Sequence, residues 1–368
     1  MLGLFERGLI REVLQLTAVV LLILLLIMVG AQFAALFALA SAGQVPLGAI
    51  APLASLDAVQ QLVLLLPVAY YVAILTSVGR MYRNHEAYAW AVAGVGPARI
   101  YRPLFLIAIV LSGLTGYLSL ELAPSAAAES KQLRAEAERN ARFGLGVAGR
   151  FQSFESGRIV LYAGQVRPGS GELEDVFIHM DEQDQPITIR AKRGKLEPQD
   201  EISQVLRLFD GTRYEGVVGS GGYRVIHFRE QGFRYELPAA EPSRLHRKAI
   251  STEELMSEPR SRADWAEWHW RLAAPSAVWV LALLAVPLAR VSPRQRSAGL
   301  ILGILIYVFY SNLMGLGRSW MAQKLILPIF GLWWVHLLFV LLALVLLARQ
   351  DGWRWVFAAG WRRGQRRQ

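Results

Sequence analysis

The sequence predicts an α+β membrane protein with six transmembrane helices, three before and three after an inserted antiparallel β domain. Its 368 residues are 54% hydrophobic and the mean hydropathy is +0.32, which exceeds the usual values for a soluble domain. Six apolar runs reach the roughly 20 residues that a helix needs to cross the hydrocarbon core of a bilayer. One long polar stretch separates the third run from the fourth.

The apolar runs set the bounds of the predicted spans. These are Val13–Ala40, Leu56–Val78, Pro103–Leu122, Leu272–Ala289, Ala298–Leu316 and Leu325–Leu347. Prolines 67, 287 and 328 fall within or near the ends of spans, and membrane helices tolerate them because neighbouring helices satisfy the freed carbonyl groups. Ala38-Leu39-Ala40 resembles a signal-peptide cleavage site, but the apolar run is too long for a cleaved signal, so we expect the first run to remain a span.

The net charge of +10 suggests nucleic-acid binding, but its distribution argues otherwise. Residues 125–271 contain 22 basic and 23 acidic side chains, so the excess positive charge lies entirely beside the apolar runs. The two termini and the loops Arg80–Arg102 and Arg290–Arg296 hold 15 basic residues, whereas the opposite short loops hold only Arg318 and Lys324. The positive-inside rule therefore predicts that both termini are cytoplasmic and that the polar stretch lies outside.

The polar stretch is predicted to start with a helix over Ala126–Arg142 and to continue as short strands separated by turns. The predicted strands are Arg158–Tyr162, Val176–Met180, Ile187–Arg190, Gln204–Phe209, Thr212–Tyr214, Tyr223–Phe228 and Phe233–Tyr235, with Asp210-Gly211 as a hairpin turn. Strands without intervening helices favour an antiparallel sandwich or open roll. Ser251 and Glu254 have the spacing of a capping box, which predicts a helix leading towards Trp265–Arg271 and the fourth span.

The residues give no support for catalysis, for a metal or for a cofactor in this chain. There is no cysteine, no catalytic signature and no histidine pair with metal-binding spacing among the six histidines. Gly144–Gly149 fits G-x-G-x-x-G, but it precedes strands instead of joining a strand to a helix, and no phosphate-binding loop with Gly-Lys-Ser/Thr occurs. If the protein uses ATP, another chain must bind it.

Three features have open interpretations from the residues alone. Gly299 and Gly303 form a G-x-x-x-G pattern that allows close helix packing, although glycine is common in membrane helices. Trp265, Trp268 and Trp270 favour an interfacial aromatic belt over contact with a substrate. After Arg80–Glu86, the short apolar stretch Ala87–Val95 is either a plug for a soluble partner or a helix lying on lipid.

Several segments resemble the lipopolysaccharide-export permeases of the LptF/LptG (YjgP/YjgQ) family. They are Gly79–Tyr82 with Glu86 and Gly94, Gly211–Gly216, His269–Leu272, Ala285–Leu288 and Pro293–Gln295. Ser203-Gln204-Val205 and His269-Trp270-Arg271 are closer to the F subunit than to the G subunit. Arg296 departs from the family, which usually has glycine there, and this affects only the local turn.

The resemblance implies a subunit of an ABC transporter in the bacterial inner membrane that exports lipopolysaccharide towards the outer membrane. Its implied partners are a sister permease (LptG), two copies of the ATPase LptB with ATP and Mg²⁺, the membrane-anchored jellyroll protein LptC, and the periplasmic bridge protein LptA. Residues 1–124 would hold three spans with a cytoplasmic coupling helix at about 84–96, residues 125–265 a periplasmic β-jellyroll with flanking helices, and residues 266–368 three spans and a basic tail.

The same resemblance implies roles for individual residues. Arg80, Glu86, Tyr88, Trp90 and Gly94 are predicted to couple the chain to the ATPase. Arg318 and Lys324 are predicted to contact phosphates of the glycolipid, and Ile159, Tyr162 and Ile189 its acyl chains. The alternative is a membrane-anchored scaffold or lipid-modifying enzyme, which requires clustered acidic or histidine residues inside the β domain.

Overall fold

The computed structural model describes residues 3–41, 45–87, 89, 98–142, 149, 151–154, 159–167, 172–182, 185–198, 203–216, 222–236, 247–257, 261–290, 298–328 and 330–351. Their helices are α1 (Leu4–Ser41), α2 (Ile50–Arg83), α3 (Ala98–Tyr117), α4 (Ala123–Arg142), α5 (Thr252–Ser257), α6 (Arg262–Ala289), α7 (Ala298–Ala322) and α8 (Trp333–Asp351). A 3-10 turn, Leu47–Ala49, precedes α2, and a π-helical turn, Leu118–Leu122, joins α3 to α4. The chain divides into two compact units, one with Met1–Gln32, Ala54–Ser130 and Arg244–Gln368, the other with Phe33–Leu53 and Lys131–Ser243.

Among the residues that the structure describes, six helical stretches are long and apolar enough to cross a membrane, in agreement with the six predicted spans. They are Phe5–Ser41, Leu47–Arg83, Arg99–Glu136, Arg262–Ala289, Gly299–Ala322 and Trp333–Gln350. The helix predicted over Ala126–Arg142 corresponds to α4, which begins within the third stretch and continues beyond it. The domain bounds at residues 124 and 265 stay a prediction.

The sixth span begins later than its apolar run predicts. The run starts at Leu325, whereas α8 starts at Trp333. Lys324 and Gly331 have positive φ angles of 67° and 47°, and Pro328 lies in the turns between them. These conformations interrupt a right-handed helix, and hydropathy does not detect them because the turn residues are themselves apolar.

α6 is the most deeply buried span, and its prolines shape its contacts with α3. A proline lacks the N–H that would bond to the carbonyl four residues earlier. Pro275 thereby frees the carbonyl of Arg271, which accepts a hydrogen bond from the Ser119 hydroxyl at 3.0 Å. Pro287 frees the carbonyl of Leu283, and the Tyr101 hydroxyl donates to it at 3.0 Å. Side chains of the third span thus replace backbone bonds that α6 cannot make.

The β domain is antiparallel, as predicted, and its described strands form one six-stranded sheet. The strands are β1 (Phe151–Phe154), β2 (Ile159–Arg167), β3 (Glu172–Glu182), β4 (Gln185–Pro198), β5 (Ser203–Glu215) and β6 (Arg224–Glu236). Their spatial order equals their chain order, so the connections between described strands are those of a meander and none is a Greek-key crossover. One face holds a hydrophobic core in which Ile189 and Leu208 are fully buried.

Asp210-Gly211 is not the hairpin turn that the sequence suggests. β5 runs through both residues, with Phe209 paired to Arg193 and Gly211 paired to Ala191. Asp210 does adopt the positive φ typical of such a pair, at 55°. However, β5 is paired with β4 on one side and with β6 on the other, both before and after Asp210, so the chain does not reverse direction there. The predicted strands before and after it are therefore one strand.

The segment before the fourth span contains two separate helix starts. The Glu254 N–H donates to the Ser251 hydroxyl at 3.1 Å, as the predicted cap requires, but α5 ends at Ser257. α6 has its own capping box, in which Ser261 and Asp264 bond reciprocally to each other's backbone N–H at 3.2 and 2.8 Å. The predicted single helix is thus two helices.

Candidate functional site

Arg80, in the last turn of α2, binds two carboxylates from different parts of the chain. Its Nε and Nη2 donate to the two carboxylate oxygens of Glu12 in α1 at 3.0 and 2.6 Å. Its Nη1 donates to Glu86 Oε1 at 3.1 Å, and the Asn84 amide donates to the same oxygen at 3.3 Å. The planar guanidinium is suited to this bidentate geometry. Glu86 is therefore linked to α1 through a single arginine.

A second carboxylate in α1, Glu6, forms ion pairs with two arginines that follow the predicted coupling helix. Glu6 is buried, with Arg102 Nη1 at 3.5 Å and Arg99 Nε at 4.0 Å from its Oε1. The Gly3 N–H donates to its other oxygen at 3.0 Å. The two sides of the segment 84–97 are thus both ion-paired to the start of α1, through Arg80 on one side and through these arginines on the other.

The predicted coupling residues are only partly described. Glu86 is half-buried at the start of a helical stretch that includes Ala87, and His85 before it has a φ of 61°. Tyr88, Trp90 and Gly94 lie outside the described residues. What the structure adds is the connection of Arg80 and Glu86 to each other and to Glu12.

A buried charged cluster lies at the opposite ends of the spans. The Arg271 cluster consists of Glu267 and Arg271 in α6 and Arg318 in α7. Arg271 Nε donates to Glu267 Oε1 at 3.3 Å, and Arg318 Nη2 donates to Glu267 Oε2 in a very short contact. The Arg318 guanidinium also lies 4.8 Å from the centre of the Trp270 ring, a cation–π contact. Arg318, the predicted phosphate ligand, is thus paired within the chain and remains about 29% exposed.

The other predicted cation, Lys324, lies two residues beyond the end of α7 and is exposed. Near the cluster, an apolar cleft separates α2, α6 and α7. Its lining includes Pro67, Trp270, Ala277, Tyr307, Tyr310 and Met314. Because Trp270 contributes to both, the cation of Arg318 lies beside this apolar cleft.

The two glycines of the G-x-x-x-G pattern have different surroundings. A Cβ at Gly303 would overlap Leu75 of α2, and the Tyr71 hydroxyl donates to the Gly303 carbonyl at 3.0 Å. A Cβ at Gly299 would be 3.5 Å from the Leu288 carbonyl oxygen. Gly303 therefore lies at the close contact between α2 and α7, while Gly299 lies beside the end of α6.

The three β-domain residues predicted to meet acyl chains do not share one face. Ile189 is fully buried in the sheet core, and Ile159 packs against that core. Tyr162 instead contacts the Phe151 ring, with centroids 4.9 Å apart, and lies opposite Phe177 on the neighbouring strand. Among the described residues no group of three or more His, Cys, Asp or Glu side chains is arranged to hold a metal ion.

Comparison with known proteins identifies one family over nearly the whole chain. The family of the lipopolysaccharide export system permease LptF/LptG matches residues 7–349. The chain belongs to the LptF/LptG family. It is also 26% identical over 346 residues to the lipopolysaccharide export system permease protein LptF of Escherichia coli K12, covering 92% of this chain and 93% of that protein. LptF of Shigella flexneri matches to the same extent.

As an LptF/LptG permease, the chain is a multi-pass membrane transport subunit for lipopolysaccharide. Family membership implies an export system with further components. Membership in a family of transport subunits is in keeping with a sequence that has no recognised catalytic motif. It disfavours the alternative of a lipid-modifying enzyme.

The carboxylates Glu6, Glu12 and Glu267 were missed by the sequence interpretation, which considered mainly the basic residues. The available signal was the presence of acidic side chains within apolar helices. Such groups are costly in a membrane unless they have a charged partner. Each of the three does have an arginine partner in the structure.

Proposed function

We propose that this chain is the F-type permease subunit of an ABC transporter that extracts lipopolysaccharide from the inner membrane and passes it towards the outer membrane. The observation that carries the proposal is the Glu12–Arg80–Glu86 group, which connects the predicted coupling segment to the first span. The similarity to proteins named LptF favours the F-type assignment.

Extraction of such a lipid requires external work. Each CH₂ group that leaves the bilayer costs about 0.8 kcal/mol, so a lipid with several acyl chains resists removal by tens of kcal/mol. The sequence contains no phosphate-binding loop of the Gly-Lys-Ser/Thr type. In the proposal, ATP and Mg²⁺ are bound by two copies of the ATPase LptB, and the work reaches this chain mechanically.

The coupling segment is the proposed point of entry. The helix at about 84–96 docks in a groove of LptB, with Glu86 at its start. Because Arg80 holds Glu86 and Glu12 together, a displacement of the docked helix acts directly on α1. Glu6 with its two arginines provides the second connection, on the far side of the segment.

The experiment compares Glu86→Ala with Glu253→Ala, which removes an exposed glutamate from α5. Each variant is expressed with the sister permease and LptB. Loss of a charge-assisted contact at the docking surface should lower lipopolysaccharide-stimulated ATP hydrolysis about tenfold or more. The control should keep its activity. Normal assembly, hydrolysis and export by Glu86→Ala would refute the proposal.

The proposed orientation has both termini in the cytoplasm and the β domain in the periplasm. It is supported by the 15 to 2 distribution of basic residues between short loops. The contact between Arg290, just beyond α6, and the Tyr82 ring at 5.2 Å is consistent with these loops sharing one end of the spans. Reagents that modify only periplasmic cysteines should label an introduced cysteine at Lys324 and spare one at Arg83; the opposite result would invert the topology.

At the outer ends of the spans, Arg318 and Lys324 are proposed to contact phosphates of the glycolipid, with acyl chains along the neighbouring cleft. Lys324→Glu is the cleaner test, because reversing the charge of Arg318 would also place two carboxylates together at Glu267. We expect Lys324→Glu to reduce substrate crosslinking and Lys324→Arg to retain it. Unchanged crosslinking in both Lys324→Glu and Arg318→Glu would reject the contact.

In the β domain, we propose that the acyl chains pass along the core face of the sheet. An edge strand of this sheet contacts the jellyroll protein LptC, which passes the lipid on to LptA. The edges of the described sheet are β1 and β6. Photo-crosslinkers at Ile159 and Ile189 should capture lipid, whereas one at Tyr162, on the opposite face, should not. Equal capture at all three positions would argue against a one-sided path.

A further inference from the structure

Arg271 is a buried arginine whose three guanidinium nitrogens all have partners. It is only 2% exposed. Nε donates to Glu267, and Nη1 donates to the Thr252 hydroxyl at 2.8 Å. Nη2 donates to the carbonyl of Ile250 at 2.9 Å and to that of Lys248 at 3.2 Å. Most of the hydrogen bonds therefore go to backbone and hydroxyl groups and not to the single carboxylate.

The backbone carbonyls that Arg271 binds belong to the segment that returns from the β domain to the spans. The chain leaves β6 at Glu236, and residues 247–252 lead into α5 and then α6. The segment has one short helical turn, in which the Ile250 N–H donates to the Arg247 carbonyl at 3.3 Å. The guanidinium binds carbonyl groups that this turn leaves without a backbone partner, and so fixes the path of the segment. The return segment is thereby held against α6.

The outgoing connection is bound to the same group of residues. The Thr252 hydroxyl, which accepts from Arg271, itself donates to the Leu120 carbonyl in the π-helical turn that leads out of α3. From the same turn, the Ser119 hydroxyl donates to the Arg271 carbonyl that Pro275 leaves free. Both connections between the spans and the β domain thus meet at Arg271.

Stability alone does not account for such a residue. A buried ion pair usually contributes no more than well-packed apolar side chains of similar volume, because desolvation offsets the attraction. Unlike an apolar side chain, the arginine makes directional hydrogen bonds to particular backbone carbonyl groups. π-Helical turns also occur frequently at functional positions in helices.

We infer that Arg271 is a positioning residue that fastens both connections of the β domain to α6, so that α6 and the two connections move as one body during transport. This extends the proposed function and relies on it for the transport readout alone. It predicts that loosening Arg271 uncouples lipid transfer from ATP hydrolysis without abolishing either the assembly or the hydrolysis.

The test uses the absence of cysteine from this chain, since a single introduced cysteine then carries its only spin label, with partner subunits used in cysteine-free form. Lys248 is exposed and its carbonyl is one of the Arg271 acceptors, so Lys248→Cys reports on the return segment. The label is compared in the otherwise unchanged permease complex, in Arg271→Lys and in Arg271→Met. Arg207→Met, which removes an exposed arginine from β5, is the matched control.

We expect label mobility to rise in the order parent, Arg271→Lys, Arg271→Met, and to be unchanged in the control. Transfer of lipopolysaccharide to LptC should fall about tenfold or more in Arg271→Met, because even one charge-assisted hydrogen bond is worth about that factor, while ATP hydrolysis changes less than about twofold. An immobile label together with normal transfer in Arg271→Met would overturn the inference, as would equal losses of transfer and hydrolysis.

A second variant keeps the test informative if the first one fails to assemble. If Arg271→Met does not assemble, Thr252→Val carries the test, because it removes only the hydroxyl that joins Arg271 to Leu120. An immobile label in Thr252→Val then overturns the inference. If the parent complex transfers no lipopolysaccharide, the proposed function fails, whereas the label measurement still decides whether Arg271 fastens the return segment.

Discussion

Gly303 in α7 allows a stability prediction in which the contact made by an added methyl group is known. A Cβ at this position would overlap Leu75 Cδ1 and lie 3.3 Å from Leu75 Cδ2 and from the Tyr71 hydroxyl. Both neighbours are buried, and the Tyr71 hydroxyl donates to the Gly303 carbonyl. Gly303→Ala therefore requires Leu75 to change rotamer or α7 to move away from α2.

The expected magnitude follows from opposing contributions. Overpacking of a buried site costs about 1–3 kcal/mol, and a weakened side-chain hydrogen bond within a membrane costs roughly 0.6 kcal/mol more. Alanine regains up to about 1 kcal/mol over glycine in helix propensity. We expect Gly303→Ala to lower the free energy of unfolding by about 1–2 kcal/mol.

Reversible unfolding in mixed micelles, followed by tryptophan fluorescence, measures this difference. Gly315→Ala is the matched control in the same helix, because no heavy atom lies within 4 Å of its built Cβ. It should be neutral or more stable than the parent. Combining Gly303→Ala with Leu75→Ala should destabilise less than the sum of the two single changes. Strict additivity, or equal effects of the two glycine substitutions, would refute the close contact.

Three further predictions concern other parts of the chain. Gly211→Ala should destabilise the β domain by about 2–3 kcal/mol, because the added Cβ would lie 2.7 Å from the Arg190 carbonyl oxygen. A backbone atom moves aside less easily than a side chain does. Proteolysis of the β domain during thermal unfolding measures the loss of stability. Ser261→Ala should cost about 1 kcal/mol through loss of the α6 cap, and Ser261→Asp should restore most of that in the same unfolding assay. Leu208→Ala, in the sheet core, should cost about 2–5 kcal/mol of domain stability by calorimetry, against little effect for an exposed leucine such as Leu325.

The results that contradict these predictions are equally direct. Gly222→Ala, whose Cβ meets no atom within 4 Å, should be far milder than Gly211→Ala, and similar losses would mean that the Arg190 carbonyl does not confine Gly211. A normal melting curve for Ser261→Ala would mean that the α6 cap does not contribute. Retained domain stability in Leu208→Ala would place that side chain outside the core.

The spans and the β domain were predictable because hydropathy and alternation are local properties. Two predictions about the fold were wrong because, in each, the same local sequence pattern is compatible with two different structures. Asp210-Gly211 does have the positive φ of a turn pair, but β5 stays paired with both neighbours in unchanged register before and after it. Leu325 belongs to an apolar run, yet turns at Lys324 and Gly331 delay the helix, and no hydropathy average separates an apolar turn from an apolar helix.

The candidate site was predictable as single residues but not as groups. Arg80 and Glu86 stand six positions apart and share a motif, so the sequence indicates both. Glu12 is 68 positions away from Arg80, and only the packing of α1 against α2 brings them together. Arg318 was interpreted as a cation available to substrate, whereas the fold brings Glu267 to it from another span.

The hydrogen bonds of α6 indicate which spans move together. Three hydroxyls of the third span donate to α6 carbonyls at 3.0 Å: Ser119 to Arg271, Ser112 to Pro275 and Tyr101 to Leu283. Two of these carbonyls are free because a proline follows four residues later, so the bonds cannot be lost without leaving buried acceptors unsatisfied. By contrast, α1 and α7 bury the smallest shares of their apolar windows within the chain, at 11% and 17%. We therefore expect α3 and α6 to stay together in any rearrangement of the spans, whereas α1, which the chain covers least, is connected through the ion pairs of Glu6 and Glu12 near its start.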